Sequence, residues 1–140
     1  MSKVAIVFWS GTGNTAAMAS AVEAGAKAKG AEVTLMGSDA FTEKMISDYD
    51  GIAFGCPAMG AEVLEESSFE PMFSSVESFL SGKKIALFGS YGWGDGQWMR
   101  DWEDRCRAVG AQLVSDGVMA NYAPTEDVME DCKNLGAALA

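Results

Sequence analysis

VAIVFWSGTGNT, residues 4–15, decides the fold of this chain. Its first six residues form an apolar run of strand length, and a polar, glycine-containing loop and an alanine-rich helical segment follow at once. Gly11 and Gly13 allow the backbone to turn tightly and to approach a ligand. The loop offers hydroxyl and amide donors from Ser10, Thr12, Asn14 and Thr15. Because free N–H groups at a helix start face the same space, the stretch predicts a phosphate-binding loop.

Two other nucleotide-binding motifs do not match this loop. A P-loop, GxxxxGK[ST], would place Lys before the Ser or Thr that holds magnesium, whereas Asn14 precedes Thr15 here. The dinucleotide pattern GxGxxG fails because Ala16 stands three residues after Gly13. Neutral donors at a helix N-terminus suit a terminal phosphate that is held rather than transferred. Taken alone, the loop could equally be a simple helix-capping turn, but two later loops favour a ligand site.

The composition indicates a small cytoplasmic protein. The 140 residues, 49% of them hydrophobic, suffice for one domain, residues 1–140, with a full core. No apolar run approaches the roughly 18 residues of a membrane span, and no signal-peptide pattern surrounds the first strand. Cys56, Cys106 and Cys132 are far apart, and the sequence has no His. We therefore expect reduced thiols and no bound metal.

The net charge of −10 is concentrated in one segment. Residues 39–77 contain nine acidic side chains and a single Lys. Nucleic acid and anionic membranes are poor partners for such a surface. Two interpretations remain open: the acids keep a monomeric protein soluble, or they steer it toward basic surfaces of partner proteins, an effect that salt weakens.

Apolar runs alternate with helical patterns along the chain. Strands are predicted at residues 4–9, 32–36, 51–56, 84–89 and 112–120, the last broken near residues 116–117. Helices are predicted at residues 16–29, from Pro71, around Trp98 and after a Thr125 cap, with a brief helix within residues 41–49. This alternation predicts an α/β fold with a parallel sheet and helices on both faces. Ligands of such sheets bind beyond the carboxyl ends of the strands.

Two glycine-containing loops follow the third and fourth predicted strands. CPAMGAEVLEES, residues 56–67, presents Met59, and GSYGWGDG, residues 89–96, presents Trp93. Met59 could instead fill the core. Trp93 stands between two glycines, where a core side chain is not expected, so a ligand contact is the favoured role for it. The two side chains could cover the faces of a planar ring. A terminal phosphate and a planar ring between two loops describe flavin mononucleotide, FMN.

These motifs resemble the flavodoxin family, specifically the short-chain type of anaerobic bacteria. The resemblance runs essentially end to end and is carried, in the family's order, by WSGTGNT (residues 9–15), GCPAMGAEVLEES (55–67), FEP (69–71) and GKKIALFGSYGWGDG (82–96). The lack of an insertion within residues 112–120 supports the short-chain type. The resemblance implies a flavodoxin-like, doubly wound, five-stranded parallel sheet in the order 2-1-3-4-5.

The resemblance also implies a role for each matching residue. The phosphate would be bound by Ser10, Gly11, Thr12, Gly13, Asn14 and Thr15. Met59 and Trp93 would flank the flavin ring, and Glu62 would accept a hydrogen bond from its N3–H. Further cofactor contacts are implied for Pro57, Ala58, Gly60, Ala61, Ser90, Gly92, Gly94 and Asn121. Tyr91 would either touch the flavin or pack behind its loop.

As a function, the resemblance implies a low-potential one-electron carrier that shuttles bound FMN between semiquinone and hydroquinone states. Its partners would be redox proteins with basic docking surfaces, such as flavodoxin or ferredoxin reductases and pyruvate oxidoreductase-type enzymes. In the family, the carbonyl at the position of Gly60 turns to accept the flavin N5–H after the first electron. Because Ala61 stands where relatives often have Asp, Asn, Ser or Gly, we expect weaker semiquinone stabilisation.

Two other functional classes were weighed. An FMN-dependent reductase on the same fold, of the quinone-reductase or reductase-activator type, is the alternative. The chain has no His, and Cys56 directly follows a strand, where packing is the expected role. A signalling receiver domain would need acidic residues where Trp9 and Ser10 stand, so that class is rejected.

Overall fold

A parallel β-sheet forms the centre of the molecule. The computed structural model describes residues 2–11, 13–59, 63–92 and 94–140. The strands are β1 (Lys3–Phe8), β2 (Glu32–Gly37), β3 (Gly51–Gly55), β4 (Lys84–Tyr91), β5 (Gln112–Leu113) and β6 (Val118–Asn121). Their order is β2-β1-β3-β4, with β5 and β6 both paired to β4 as two halves of the fifth position. The predicted order 2-1-3-4-5 is confirmed, and so is the break in the fifth strand.

Within the described parts of the chain, four α-helices cover the sheet. They are α1 (Asn14–Ala28), α2 (Phe69–Val76), α3 (Gln97–Ala108) and α4 (Glu126–Leu139), with short 3-10 helices at Ser38–Ala40, Glu43–Asp48 and Glu77–Phe79. Helix α2 begins two residues earlier than predicted, so Pro71 lies within its first turn, where a missing N–H costs little. Thr125 caps α4 as predicted, since its Oγ1 accepts a hydrogen bond of 3.3 Å from Val128 N. Among the described residues, no helix is both long and apolar enough to cross a membrane.

The side chains of each strand alternate between two cores. Val4 and Ile6 of β1 pack with α1 and α4 on one face, while Ala5 and Val7 pack with α2 and α3 on the other. β3 is buried along its whole length, as expected for a central strand of a parallel sheet. Both faces of the sheet are therefore covered.

Helices α1 and α4 cross in direct backbone contact. A Cβ atom added to Gly25 would lie 1.8 Å from the carbonyl O of Lys133, and one added to Gly136 would lie 2.0 Å from the carbonyl O of Val22. Contacts this short leave no room for any side chain. The two glycines therefore set the distance between these helices.

The break in the fifth strand coincides with a close approach of α3. A Cβ atom added to Gly117 would lie 2.3 Å from Met99 Sδ, and Gly117 N donates a hydrogen bond of 2.7 Å to Glu103 Oε2. The chain leaves the ladder of β4 after Val114 and rejoins it at Val118, and within this gap the Gly117 amide is bound by α3 instead of by β4.

Candidate functional site

A cavity of about 260 Å³ lies at the carboxyl edge of the sheet, beyond β1, β3, β4 and β6. This is the edge where ligands of open parallel sheets bind, and the strand order reverses between β1 and β3. The cavity is lined by Trp9, Gly11, Asn14, Pro57, Ala58, Met59, Ser90, Tyr91, Gly92 and Tyr122. Most of these residues present apolar or aromatic surface, and the polar ones are grouped near the start of α1.

The start of α1 forms the polar end of the cavity. Ser10 Oγ accepts hydrogen bonds of 3.2 Å from Gly13 N and from Ala16 N, which folds the loop back onto the helix. A hydroxyl that accepts two bonds still has its proton to donate. Gly13 has a φ of 95°, a left-handed conformation that favours glycine. Residues 14–17 contain no acidic side chain, so the positive end of the helix dipole is not neutralised locally. This end suits an anion.

Two buried hydroxyls stand between α1 and β4. Thr15 Oγ1 and Ser90 Oγ are 3.4 Å apart, and both residues are almost completely buried. Ser90 lines the cavity, while Thr15 lies beside it in the first turn of α1. At 3.4 Å the bond between them is weak, so a stronger acceptor in the cavity would compete for both protons.

Aromatic and sulfur-containing side chains form the apolar part of the cavity. Tyr91 lines it and also packs against Trp98, with ring centroids 5.4 Å apart. Met59 and Tyr122 are 38% and 63% exposed, so the cavity opens to solvent between them. Their placement suits a flat apolar group that enters between them.

The described residues between β3 and α2, 56–59 and 63–68, which we call the pocket loop, are joined by backbone pairing. Met59 N donates to Val63 O at 2.8 Å and Val63 N donates to Met59 O at 3.0 Å, forming an isolated antiparallel bridge. Ala58 N donates to Ser90 O at 2.9 Å, which holds the loop against β4. Met59 is therefore fixed by its backbone on the cavity wall, although its side chain is exposed.

Glu65, in the second half of the pocket loop, has a buried carboxylate. It accepts hydrogen bonds from Ser67 N, Ser68 N and Phe69 N at 2.7, 2.8 and 2.9 Å, and also from Ser67 Oγ. Burial alone would raise the pKa of this carboxyl, but the hydrogen bonds from Ser67, Phe69 and Ser68 outweigh it and lower the pKa to about 2. The side chain is therefore ionised at neutral pH, at the N-terminus of α2.

Residues after β6 support the loop that follows β4. Asn121 Nδ2 donates to Gly92 O at 2.9 Å and more weakly to Tyr91 O at 3.4 Å. Tyr122 N donates to Tyr91 O at 2.7 Å. Tyr122 is the non-glycine residue with positive φ among those described, at 61°. Asn121 thus contacts loop backbone and does not line the cavity, whereas Tyr122 does.

The cavity brings together many of the residues predicted from the sequence. Those that line it are Gly11, Asn14, Pro57, Ala58, Met59, Ser90, Tyr91 and Gly92. Those that adjoin its loops without lining it are Ser10, Gly13, Thr15, Gly94 and Asn121. Those that lie outside the described residues are Thr12, Gly60, Ala61, Glu62 and Trp93, and the expectation for Ala61 lies there too. Their contacts with a cofactor remain predictions.

Sequence reasoning missed Trp9, Tyr122 and Glu65. Trp9 and Tyr122 each directly follow a strand at the carboxyl edge, and that position could have identified both as candidates for lining the cavity. Nothing in the sequence separates Glu65 from the other acids near it, because its burial depends on where α2 packs.

The arrangement can bind a ligand with an anionic end and a flat apolar body.

Comparisons with known proteins show which proteins the whole chain resembles. A family model described as Flavodoxin matches residues 6–136. The chain is 46% identical to a flavodoxin of Megasphaera elsdenii over 137 residues, which cover 98% of each chain. It is 45% identical to a flavodoxin of Clostridium beijerinckii, with 96% of this chain and 97% of the relative covered. The solution structure of two-electron reduced Megasphaera elsdenii flavodoxin superimposes with a TM-score of 0.86, covering 97% of both chains.

Proposed function

The chain belongs to the flavodoxin family, and we propose from this premise that it carries single electrons between redox proteins on non-covalently bound FMN, with no substrate of its own. When bound, FMN supplies the one-electron redox chemistry. The observation that carries the proposal is the cavity, in which an anion-binding helix start adjoins an aromatic slot. That combination fits FMN, which has a terminal phosphate and a planar ring.

The chain's own residues divide the binding between them. Ser10, Asn14 and the first amides of α1 would hold the phosphate with neutral donors. Met59 and Tyr122 would exclude water from the ring while leaving its edge open, because both side chains stand at the rim. An open edge at the rim is where electrons would pass to and from a partner protein.

Fewer acids of the segment 39–77 are placed to steer basic partners than its composition indicates. Of its nine acids, Glu65 is buried, and Glu70 and Glu77 are paired with Arg105 at 2.8 and 3.0 Å. Asp48 and Asp50 precede β3, at the edge of the sheet opposite the cavity. Glu66 is exposed and follows β3, at the cavity edge. Steering of reductases or pyruvate oxidoreductase-type enzymes would therefore depend on Glu66 more than on Asp48.

The proposal includes a single-domain monomer in the cytoplasm. One sheet connects residues 3–121, and α4 packs back on it through α1 and β6, which supports one domain. The net charge of −10 opposes association of two copies. All three cysteines are free and buried, which suits a reducing compartment.

Anaerobic stepwise reduction of the purified protein with FMN, followed by absorbance, tests the proposal. We expect two separated one-electron steps. A single two-electron step would favour an FMN-dependent reductase, and failure to bind FMN would refute the proposal.

A matched pair of ligands tests the assignment of the two ends of the cavity. Ser10→Ala removes a hydroxyl at the phosphate end, so it should weaken FMN binding about tenfold. It should leave the affinity for riboflavin, which has no phosphate, unchanged. Equal loss for both ligands would contradict the assignment.

A further inference from the structure

We infer that Glu65 is a positioning residue of the cofactor pocket, which fixes the Met59–Val63 bridge by tying the end of β3 to the start of α2. The inference rests on the proposed function for what the pocket holds. Glu65 does not line the cavity, so it would act through the pocket loop.

The carboxylate of Glu65 fastens the loop to α2. Ser68, at the N-cap position of this helix, makes no side-chain capping bond. The free amides at the start of the helix donate to Glu65 instead, from Ser67, Ser68 and Phe69. Glu65 is 5% exposed, so these charge-assisted bonds are shielded from water. The carboxylate thus takes the place of the missing cap.

The backbone of Glu65 fastens the same point to the sheet. Glu65 N donates to Cys56 Sγ at 3.3 Å, and Cys56 N is bound to Phe88 O of β4 at 3.1 Å. Glu65 O accepts from Glu70 N at 2.8 Å. The polar groups of this one residue therefore join the end of β3, the neighbouring strand and the first turns of α2.

The Met59–Val63 bridge depends on the contacts of Glu65. The side chains of Met59 and Val63 are 38% and 41% exposed, so little burial of their own holds the bridge in place. Val63 is joined to Glu65 through the buried Leu64, and Met59 to Cys56 through two residues. Loosening Glu65 would free Val63, and Met59 on the cavity wall would move with it through the bridge.

Glu65→Gln keeps the shape of the side chain but removes its charge and turns an NH2 group toward amide donors. Glu66→Gln is the matched control, because Glu66 is the adjacent acid and is exposed. If Glu65 acted only through the net charge of the protein, the two variants would behave alike.

The first readout is the alkylation rate of each thiol, located by mass spectrometry on the FMN-saturated protein. In Glu65→Gln, we expect the labelling of Cys56 to accelerate at least tenfold more than that of Cys106 and Cys132, which report global opening. In Glu66→Gln, no thiol should change. Because all three thiols are buried, equal acceleration of all three in Glu65→Gln would show a global loss of stability and overturn the inference.

The second readout is the dissociation constant of each ligand. Glu65→Gln should raise that of FMN and that of riboflavin by the same factor, about tenfold, since the pocket loop contacts the slot end of the cavity. Glu66→Gln should stay within twofold. Equal effects of the two variants would overturn the inference.

A milder variant serves if Glu65→Gln does not fold. Ser67→Ala keeps the carboxylate and removes one donor to it, so the labelling of Cys56 should accelerate about threefold more than that of the other two thiols. No selective change in Ser67→Ala would overturn the inference. Failure of the wild-type protein to bind FMN would refute the proposed function instead, and the thiol comparison would then be made on the protein without FMN.

Discussion

Tyr122→Asn should stabilise the protein without FMN and weaken FMN binding. Tyr122 has a φ of 61°, and its side chain is 63% exposed at the rim of the cavity. A left-handed conformation costs an L-residue roughly 1–2 kcal/mol, and Asn tolerates it better than Tyr. Exposed as it is, the ring recovers little of this cost by packing in the absence of ligand. The strain is therefore expected to serve the bound state.

The loss of affinity follows from the area that a ligand would cover. If FMN buries roughly 60 Å² of the exposed ring, removal of the ring costs about 1.5 kcal/mol at ~25 cal/mol per Å². That corresponds to about a tenfold higher dissociation constant. Relief of the strained backbone should raise the free energy of unfolding of the apoprotein by about 1 kcal/mol.

Urea unfolding of the apoprotein and fluorescence titration with FMN measure the two effects. Phe79→Asn is the matched control, because Phe79 is also an exposed aromatic but does not line the cavity. It should leave FMN affinity unchanged. If Tyr122→Asn destabilises the apoprotein and binds FMN as well as the wild type, the reasoning is wrong.

Three further predictions concern packing, acid stability and docking. Gly25→Ala should lower the free energy of unfolding by about 2 kcal/mol, because the clash at the helix crossing exceeds the ~1 kcal/mol gained in helix propensity. The control Ala24→Gly, at an exposed position, should lose only that ~1 kcal/mol, and a stabilised Gly25→Ala in urea unfolding would contradict the prediction. Since the pKa of Glu65 is lowered to about 2, the ionised side chain should add about 3 kcal/mol to the free energy of unfolding above pH 4.5, and this should be lost as pH falls toward 2. Glu65→Gln should lack that part of the acid dependence in urea unfolding at a series of pH values, and an unchanged profile would count against the prediction. Glu66→Lys should slow electron transfer from a basic reductase and reduce the salt dependence of its rate, whereas Asp48→Lys at the opposite edge of the sheet should do neither. Equal effects of the two variants in stopped-flow assays would favour a general charge effect.

The sheet could be predicted from the sequence because its elements leave strong local patterns. Buried parallel strands are short apolar runs, and Thr125 with two following acids marks a helix start. The break in the fifth strand was also visible at Gly117. The predicted start of α2 is two residues too late, because proline is common at the first helical position and the prediction places Pro71 there. Proline also fits later in the first turn, which is where Pro71 lies.

The candidate site was only partly predictable, because its remaining features depend on tertiary packing. Glu65 and Glu66 are adjacent and chemically identical, yet one is buried under four donors and the other is exposed. The acidic segment is continuous in sequence, but the fold sends Asp48 and Glu66 to opposite edges of the sheet. The left-handed backbone of Tyr122 likewise has no local sequence cause such as glycine or asparagine at that position.

The burial of the three thiols has a consequence for the fidelity of an electron carrier. Burial is the main cause that raises the pKa of Cys56, Cys106 and Cys132 to about 12, so essentially none of the three is a thiolate at neutral pH. Thiol–disulfide exchange and oxidation both proceed through the thiolate. Cys56, in the loop that forms a wall of the cavity, is thus chemically silent. Electrons stored in the cavity therefore have no competing thiol chemistry beside them.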